Sequence, residues 1–265
     1  MTDQPASPVS LLSSVAAILQ AVAWPAVAAM FLIIYRSRIG SLLEVLTKKL
    51  ATATKVKAWQ LELESTEQEI HDAVTKTGET ASSEALTPKI PENQLKAAKE
   101  INQRLLESPL SVQRALGVVQ RQVNSLIDEY ERLRESPSGS MRTRSMNEVV
   151  AKMRSLSVAA RPLLHTFMSG QSAGERLAAI CILQVLPEGQ CFPWLIERIK
   201  SESQPFVFYQ AALAVLEFVG TREYTDPAKI KEGIAEGLKH ISGYKGGHPD
   251  QNTMDVLNQA LAQVR

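Results

Sequence analysis

LAAICILQVL at residues 177–186 and QAALAVLEFV at residues 210–219 decide how the chain folds. Set one on the other, they match Ala178 with Ala211, Ala179 with Ala212, Ile180 with Leu213, Ile182 with Val215 and Leu183 with Leu216, an offset of 33 residues (211 − 178). An offset of that size is typical of helical repeats, where each unit is a helix pair that cannot bury its apolar face alone. The alanines permit close helix approach, and the Leu, Ile and Val side chains fill the layer between helices. Each copy is followed by a turn and a second amphipathic segment, 191–200 after the first and 227–240 after the second. A last segment, 250–264, carries Met254, Leu257 and Leu261 and would cap the stack. Two unrelated amphipathic helices sharing an alanine-rich bias would give the same match. On either reading the end of the chain is an all-α array.

Upstream of the repeat lies a longer periodic pattern. A first helix is expected over 95–107, and Ser108-Pro109 then offers a cap residue followed by a proline suited to the first helical position. From there Val112, Leu116, Val119, Val123, Leu126, Tyr130 and Leu133 recur at spacings of four and three, so one continuous stripe is buried. This stripe is a candidate self-association surface, the seam of a homodimeric coiled coil. It serves equally for packing within the chain, because Met146, Val149, Met153, Leu156 and Ala160 repeat the spacing beyond the turn Ser136-Pro137-Ser138-Gly139. Three heptads with a tyrosine at one seam position make a modest zipper, which favours the intrachain helical hairpin. Arg142 and Arg144, next to that turn, suit an acidic partner or a phosphate, or else pair with Glu129, Glu131 or Glu135 of the hairpin.

Nearer the N-terminus the pattern weakens. Trp59, Leu61 and Leu63 alternate with polar residues across 56–63, which fits a short strand or a helix end. Acidic residues follow at Glu67, Glu69 and Asp72. Residues 78–94 are then rich in Thr, Ser, Glu and Pro, a composition expected of a flexible linker.

Residues 15–35 form a nearly uninterrupted apolar run. At the helical rise its roughly 21 residues reach about 30 Å, the thickness of a bilayer's hydrocarbon core. A cleaved signal would want a basic start and a shorter apolar stretch, whereas only Asp3 carries a charged side chain before this run. A buried core helix rarely needs so long a charge-free segment followed at once by a basic flank. The expectation is a single transmembrane helix, with Tyr35 at the interfacial belt and Arg36 and Arg38 flanking the exit. No Lys or Arg precedes the run, so the rule that positive flanks stay inside places residues 1–14 outside and the rest in the cytosol. Residues 36–50 place Ile39, Leu42, Leu43, Leu46 and Leu50 at helical spacing. The expected juxtamembrane segment, 36–77, either touches lipid headgroups or serves only to fix topology. The expected cytosolic α-helical domain runs over 95–265.

Composition excludes several function classes. The formal net charge is +1, so no global field points to nucleic acid. Aromatics make up only 5 % and Ala, Leu and Glu are abundant, which favours helices over sheets. Cys181 and Cys191 form neither a CxxC pair nor a cluster with histidine, and Cys181 reads as a small core residue. No metal or cofactor motif is present: GxSxG, HExxH and the Walker pattern are missing, and the glycine-rich turn 243–247 lacks the Lys-Ser/Thr ending of a phosphate loop. Glu175 suits the start of a helix after Ser172-Ala173-Gly174, and His165 reads as a satisfied core or surface histidine. The expectation is a chain without catalytic, cofactor-binding or metal-ligating residues.

Trp24-Pro25, the apolar stretch after it, Arg36-Ser37-Arg38-Ile39 and Leu42-Leu43 resemble a widespread group of bacterial single-span membrane proteins to which no activity is attached. Residues 128–134 (DEYERLR), 138–144, 149–154 (VVAKMR), 174–180 (GERLAAI), Trp194-Leu195 and 205–212 (PFVFYQAA) resemble a recurrent bacterial helical module. The likeness covers about half the chain. It implies a HEAT- or armadillo-like accessory domain on the inner membrane, and it carries over no functional residue. The expected function is a membrane-anchored, non-enzymatic adaptor or sensor subunit that binds a protein partner; a self-associating scaffold of a membrane complex is the alternative.

Overall fold

Proline and short polar turns divide the C-terminal two thirds of the chain into helices too short and too one-sided to stand alone. A computed structural model describes residues 63–81, 89–108, 110–244 and 250–265. All regular structure among them is helical. The compact unit runs Glu62–Arg265. The apolar run 15–35, its flanks Tyr35, Arg36 and Arg38, and residues 36–62 lie outside the described residues. Among the described residues no helix is long and apolar enough to cross a membrane.

The expected hairpin is present. Helix α3 (Val112–Glu135) and helix α4 (Ser140–Ala160) are joined by the turn at 136–139 and pack on each other. Val119, Val123, Leu126 and Tyr130 of α3 meet the core, as do Met146, Val149, Met153, Leu156 and Ala160 of α4. Each large apolar side chain sealed in this way contributes roughly 1.5–3 kcal/mol before ordering entropy is counted. Pro162 then denies the following turn a backbone donor, and the chain tightens into a 3-10 turn at Arg161–Leu163 before the short α5 (Leu164–Met168).

The two repeat copies become α6 (Ala173–Val185) and α8 (Pro205–Thr221), which pack side by side with all five matched pairs buried. Each is followed by an amphipathic helix, α7 (Phe192–Ser201) and α9 (Pro227–Ser242), and α10 (Gln251–Gln263) lies against both α8 and α9. One layer is thus the succession α4, α6, α8, α10. A second layer holds α3 against α4 and α6, α7 against α8 and α9, and α9 against α10. Prolines open α7, α8 and α9, where the missing donor is harmless. Ser172 and Glu175 close a reciprocal capping box at the start of α6, as expected of Glu175. Gly174 permits the close approach of α6 to α3: a Cβ there would meet Ile127 Cγ2 at 2.9 Å, and its N–H instead donates to Glu131 Oε1 at 2.7 Å.

Three expectations need correction at the N-terminal side. Residues 63–81 form a helix, α1, which starts at Leu63 and so takes the helix-end alternative for that stretch. Its Ile70, Val74 and Ala81 are buried, so the domain begins well before residue 95. The segment 78–94 is helical at both ends, closing α1 and opening α2 (Glu92–Glu107), and Ile90 and Gln94 are buried; residues 82–88 lie outside the described residues. Finally, Ser108 caps the end of α2, its hydroxyl donating to the Leu105 carbonyl, and Ser111 is the residue that precedes α3.

Candidate functional site

Most of the seven-residue stripe of α3 faces the chain's own core, in line with the intrachain hairpin rather than the dimer seam. Val119, Val123, Leu126 and Tyr130 are core residues, and Leu116 and Leu133 pack partly against them. Only Val112, at 82 % exposure, points to solvent. The spacing located the buried face correctly, but the partner that covers it is α4 and α6 of the same chain.

What the array does present is an open groove of about 500 Å³. The first two turns of α4 form one wall through Arg142, Thr143 and Asn147. The entry to α8 forms another through Phe206 and Tyr209, and Tyr244 with Asp250 and Asn252 at the start of α10 closes the end. Phe206, Tyr209 and Tyr244 are half-buried, each with an apolar ring against the protein. The Tyr244 hydroxyl donates to the Ser203 carbonyl at 2.6 Å, and its ring stands edge-on to Phe208 at 5.5 Å. Phe206 leans on Tyr130 with centroids 6.1 Å apart. Burial pushes the Tyr209 phenol above its ordinary value, so it stays a neutral donor. A second groove, about 510 Å³, separates α1 from α2 and is lined by interleaved charges, among them Asp72, Lys76, Lys96 and Arg104.

Arg142 is already engaged. Its Nη1 donates to the Ser136 carbonyl at 2.9 Å and to the Arg134 carbonyl at 3.5 Å, which satisfies the free carbonyl end of α3. Arg144 faces Glu148 one turn along its own helix at 3.9 Å. Of the expected glutamate partners, Glu129 pairs with Lys152 at 3.1 Å and Glu131 with Arg134 at 2.6 Å.

Two guanidinium centres, one half-buried and one buried, lie in the array. Arg176 and Arg198 converge on Glu202, whose side chain is 4 % exposed; Arg176 Nη2 donates to Oε2 at 2.9 Å and Arg198 Nη1 to Oε1 at 3.4 Å. Arg154, buried in α4, donates from Nε to Gln184 Oε1 at 2.6 Å, from Nη1 to Gln94 Oε1 at 3.1 Å and from Nη2 to Gln210 Oε1 at 3.1 Å. Its acceptors are all neutral. Desolvation lowers the pKa of this guanidinium, and the nearby Cys181 and Glu217 partly offset it. Burial in turn raises Glu217 above the ordinary carboxylate value, while the Ile90 N–H, 3.5 Å from Oε1, partly offsets it.

One overlooked signal in the repeat points to this second centre. Under the 33-residue offset, Gln184 aligns with Glu217, the one polar position shared by both copies. A polar residue repeated inside an apolar helix marks a buried partner.

Chemically, the described residues offer binding surfaces rather than an assembled reaction centre. No group of three His, Cys, Asp or Glu among them is placed to hold a metal. Both cysteines are buried and reduced, and burial lifts the Cys181 thiol to about 12. His165 is exposed at the surface. No family model matches the chain, and neither a curated protein nor a solved structure matches it.

Proposed function

We propose that the chain is a bacterial inner-membrane adaptor or sensor subunit, non-enzymatic, which uses its helical array in the cytosol to bind a protein partner. The 15–35 apolar run with Arg36 and Arg38 behind it supports the anchor. The observation that carries the binding function is the open groove between α4, α8 and α10. Tyr and Phe present large contact area at low entropy cost, and residues of this kind dominate protein interfaces. Its walls come from three helices of the array, so a bound segment would contact residues far apart in sequence.

Self-association through the α3 stripe is less well supported, because four of its seven side chains would have to leave the core. Leu116→Glu with Leu126→Glu is therefore expected to unfold the domain rather than to yield a helical monomer.

Affinity capture of the full chain from membranes, beside the double variant Thr143→Arg and Asn252→Arg, tests the reading. Both positions are exposed on the groove, so the variant fills it without touching the core. A partner recovered with the native chain and lost with the variant supports the adaptor. Equal recovery places recognition elsewhere, and recovery of the chain alone above one subunit's mass supports the scaffold.

A further inference from the structure

We propose that α2 is a latch that opens as a unit, and that the charge of Arg154, hydrogen-bonded only to neutral amides, sets how readily it does so. Gln184 and Gln210 are tied to each other inside the array: Gln184 Nε2 donates to the Gln210 carbonyl at 2.8 Å and to its Oε1 at 3.0 Å. Those two acceptors are fixed whether or not α2 is in place. The third acceptor, Gln94, belongs to the first turn of α2, and α2 packs chiefly on α4.

Two opposed effects therefore meet at one helix. Ala98, Ile101 and Leu105 are buried on closing and hold α2 down. Closing also strips water from a guanidinium that gains only a neutral amide in exchange, and dipoles do not cancel a full charge in a low-dielectric site. Opening restores hydration to Nη1. The segment leading into α2 adds the buried Ile90 side chain and a long contact from the Ile90 N–H to Glu217. On its far side α2 borders the groove toward α1, where Asp72, Lys76, Lys96 and Arg104 interleave with Ala73, Ala97 and Ile101. A helix held between such opposing terms is expected at the low-stability end of the domain. The proposal is independent of the adaptor reading, since it concerns the equilibrium of the chain by itself.

Hydrogen exchange of the full chain, read by mass spectrometry, tests it. The amides of α2 are expected to exchange together, about tenfold or more faster than those of α6 and α8. Gln94→Glu supplies the missing counter-charge at the Nη1 position and is expected to slow α2 several-fold. Asn93→Asp adds the same charge on the exposed side of the same turn, and so controls for the favourable effect of an acid near a helix start. Asn93 Oδ1 already accepts the Gln94 N–H at 2.8 Å, so the control is expected to slow exchange only slightly, and clearly less than Gln94→Glu. Exchange of α2 at the rate of α6 and α8 in the native chain overturns the proposal, and so does an equal response to the two acidic variants.

Discussion

The two guanidinium centres differ in what answers their charge. Around Arg176 and Arg198 the carboxylate of Glu202 is itself buried, and both arginines keep a solvent-facing edge, with side chains 18 % and 20 % exposed. Arg154 is more deeply buried and has no directly bonded carboxylate, only three amide oxygens. The first centre is a tie between consecutive elements, α6 and the end of α7. The second draws together α2, α4, α6 and α8, so it fixes which helices share the core more than how tightly they are held. Charge neutralisation and geometric specification are separate tasks, and this domain assigns them to different arginines.

Removing the carboxylate should give the largest effect. Glu202→Gln leaves two cations facing each other without a counter-charge and is expected to cost about 3 kcal/mol in urea unfolding, the low end for a broken buried pair because both arginines reach water. Gln184→Leu is the matching break in the amide centre. It withdraws the Nε acceptor and the donor to Gln210 together, for an expected loss of about 2 kcal/mol. A smaller deficit from Glu202→Gln than from Gln184→Leu would reverse the ranking of the two centres. Ser172→Ala removes the capping hydroxyl that receives the Glu175 N–H at 3.1 Å, for about 1 kcal/mol by thermal melting.

The smallest expected effect is a difference in sign with pH. Glu217 is held above its ordinary value of 4.5 by burial, so folding takes up a proton between that value and its raised one. Stability therefore falls as pH rises through this window, and Glu217→Gln should abolish the slope. Glu175 is held below its ordinary value, chiefly by the backbone and hydroxyl of Ser172. Its contribution is present at neutral pH and fades as pH falls through its depressed value, the opposite slope. Stability measured against pH in Glu217→Gln and Glu175→Gln checks both signs.

Much of the array was legible because its helices alternate between one-sided and all-round burial. The α3 stripe has the strict spacing of a helix with one dry face, and the Ala-rich copies that became α6 and α8 are dry on nearly every side. Helix α1 was missed although Ile70, Val74, Thr77 and Ala81 follow the same four-three-four spacing. Its stripe contains a threonine and ends in a Ser- and Thr-rich stretch, so composition hid the period. The Arg154 centre was harder still. Its partners Gln94, Gln184 and Gln210 lie on three different helices, and nothing local to Arg154 distinguishes it from a surface arginine. The groove has the same origin: Asn147, Tyr209 and Asn252 become neighbours only through the stacking of layers.

Cys181 lies at the centre of the core with no exposed surface, and Cys191 is nearly as well covered. These are the only two thiols in the chain. A thiolate is the reacting species, and at a value of about 12 almost none forms on Cys181 while the fold is intact. The domain thus carries its own clock: the pace at which an alkylating reagent consumes Cys181 counts the openings of the α6 layer, in the native chain and without any added label.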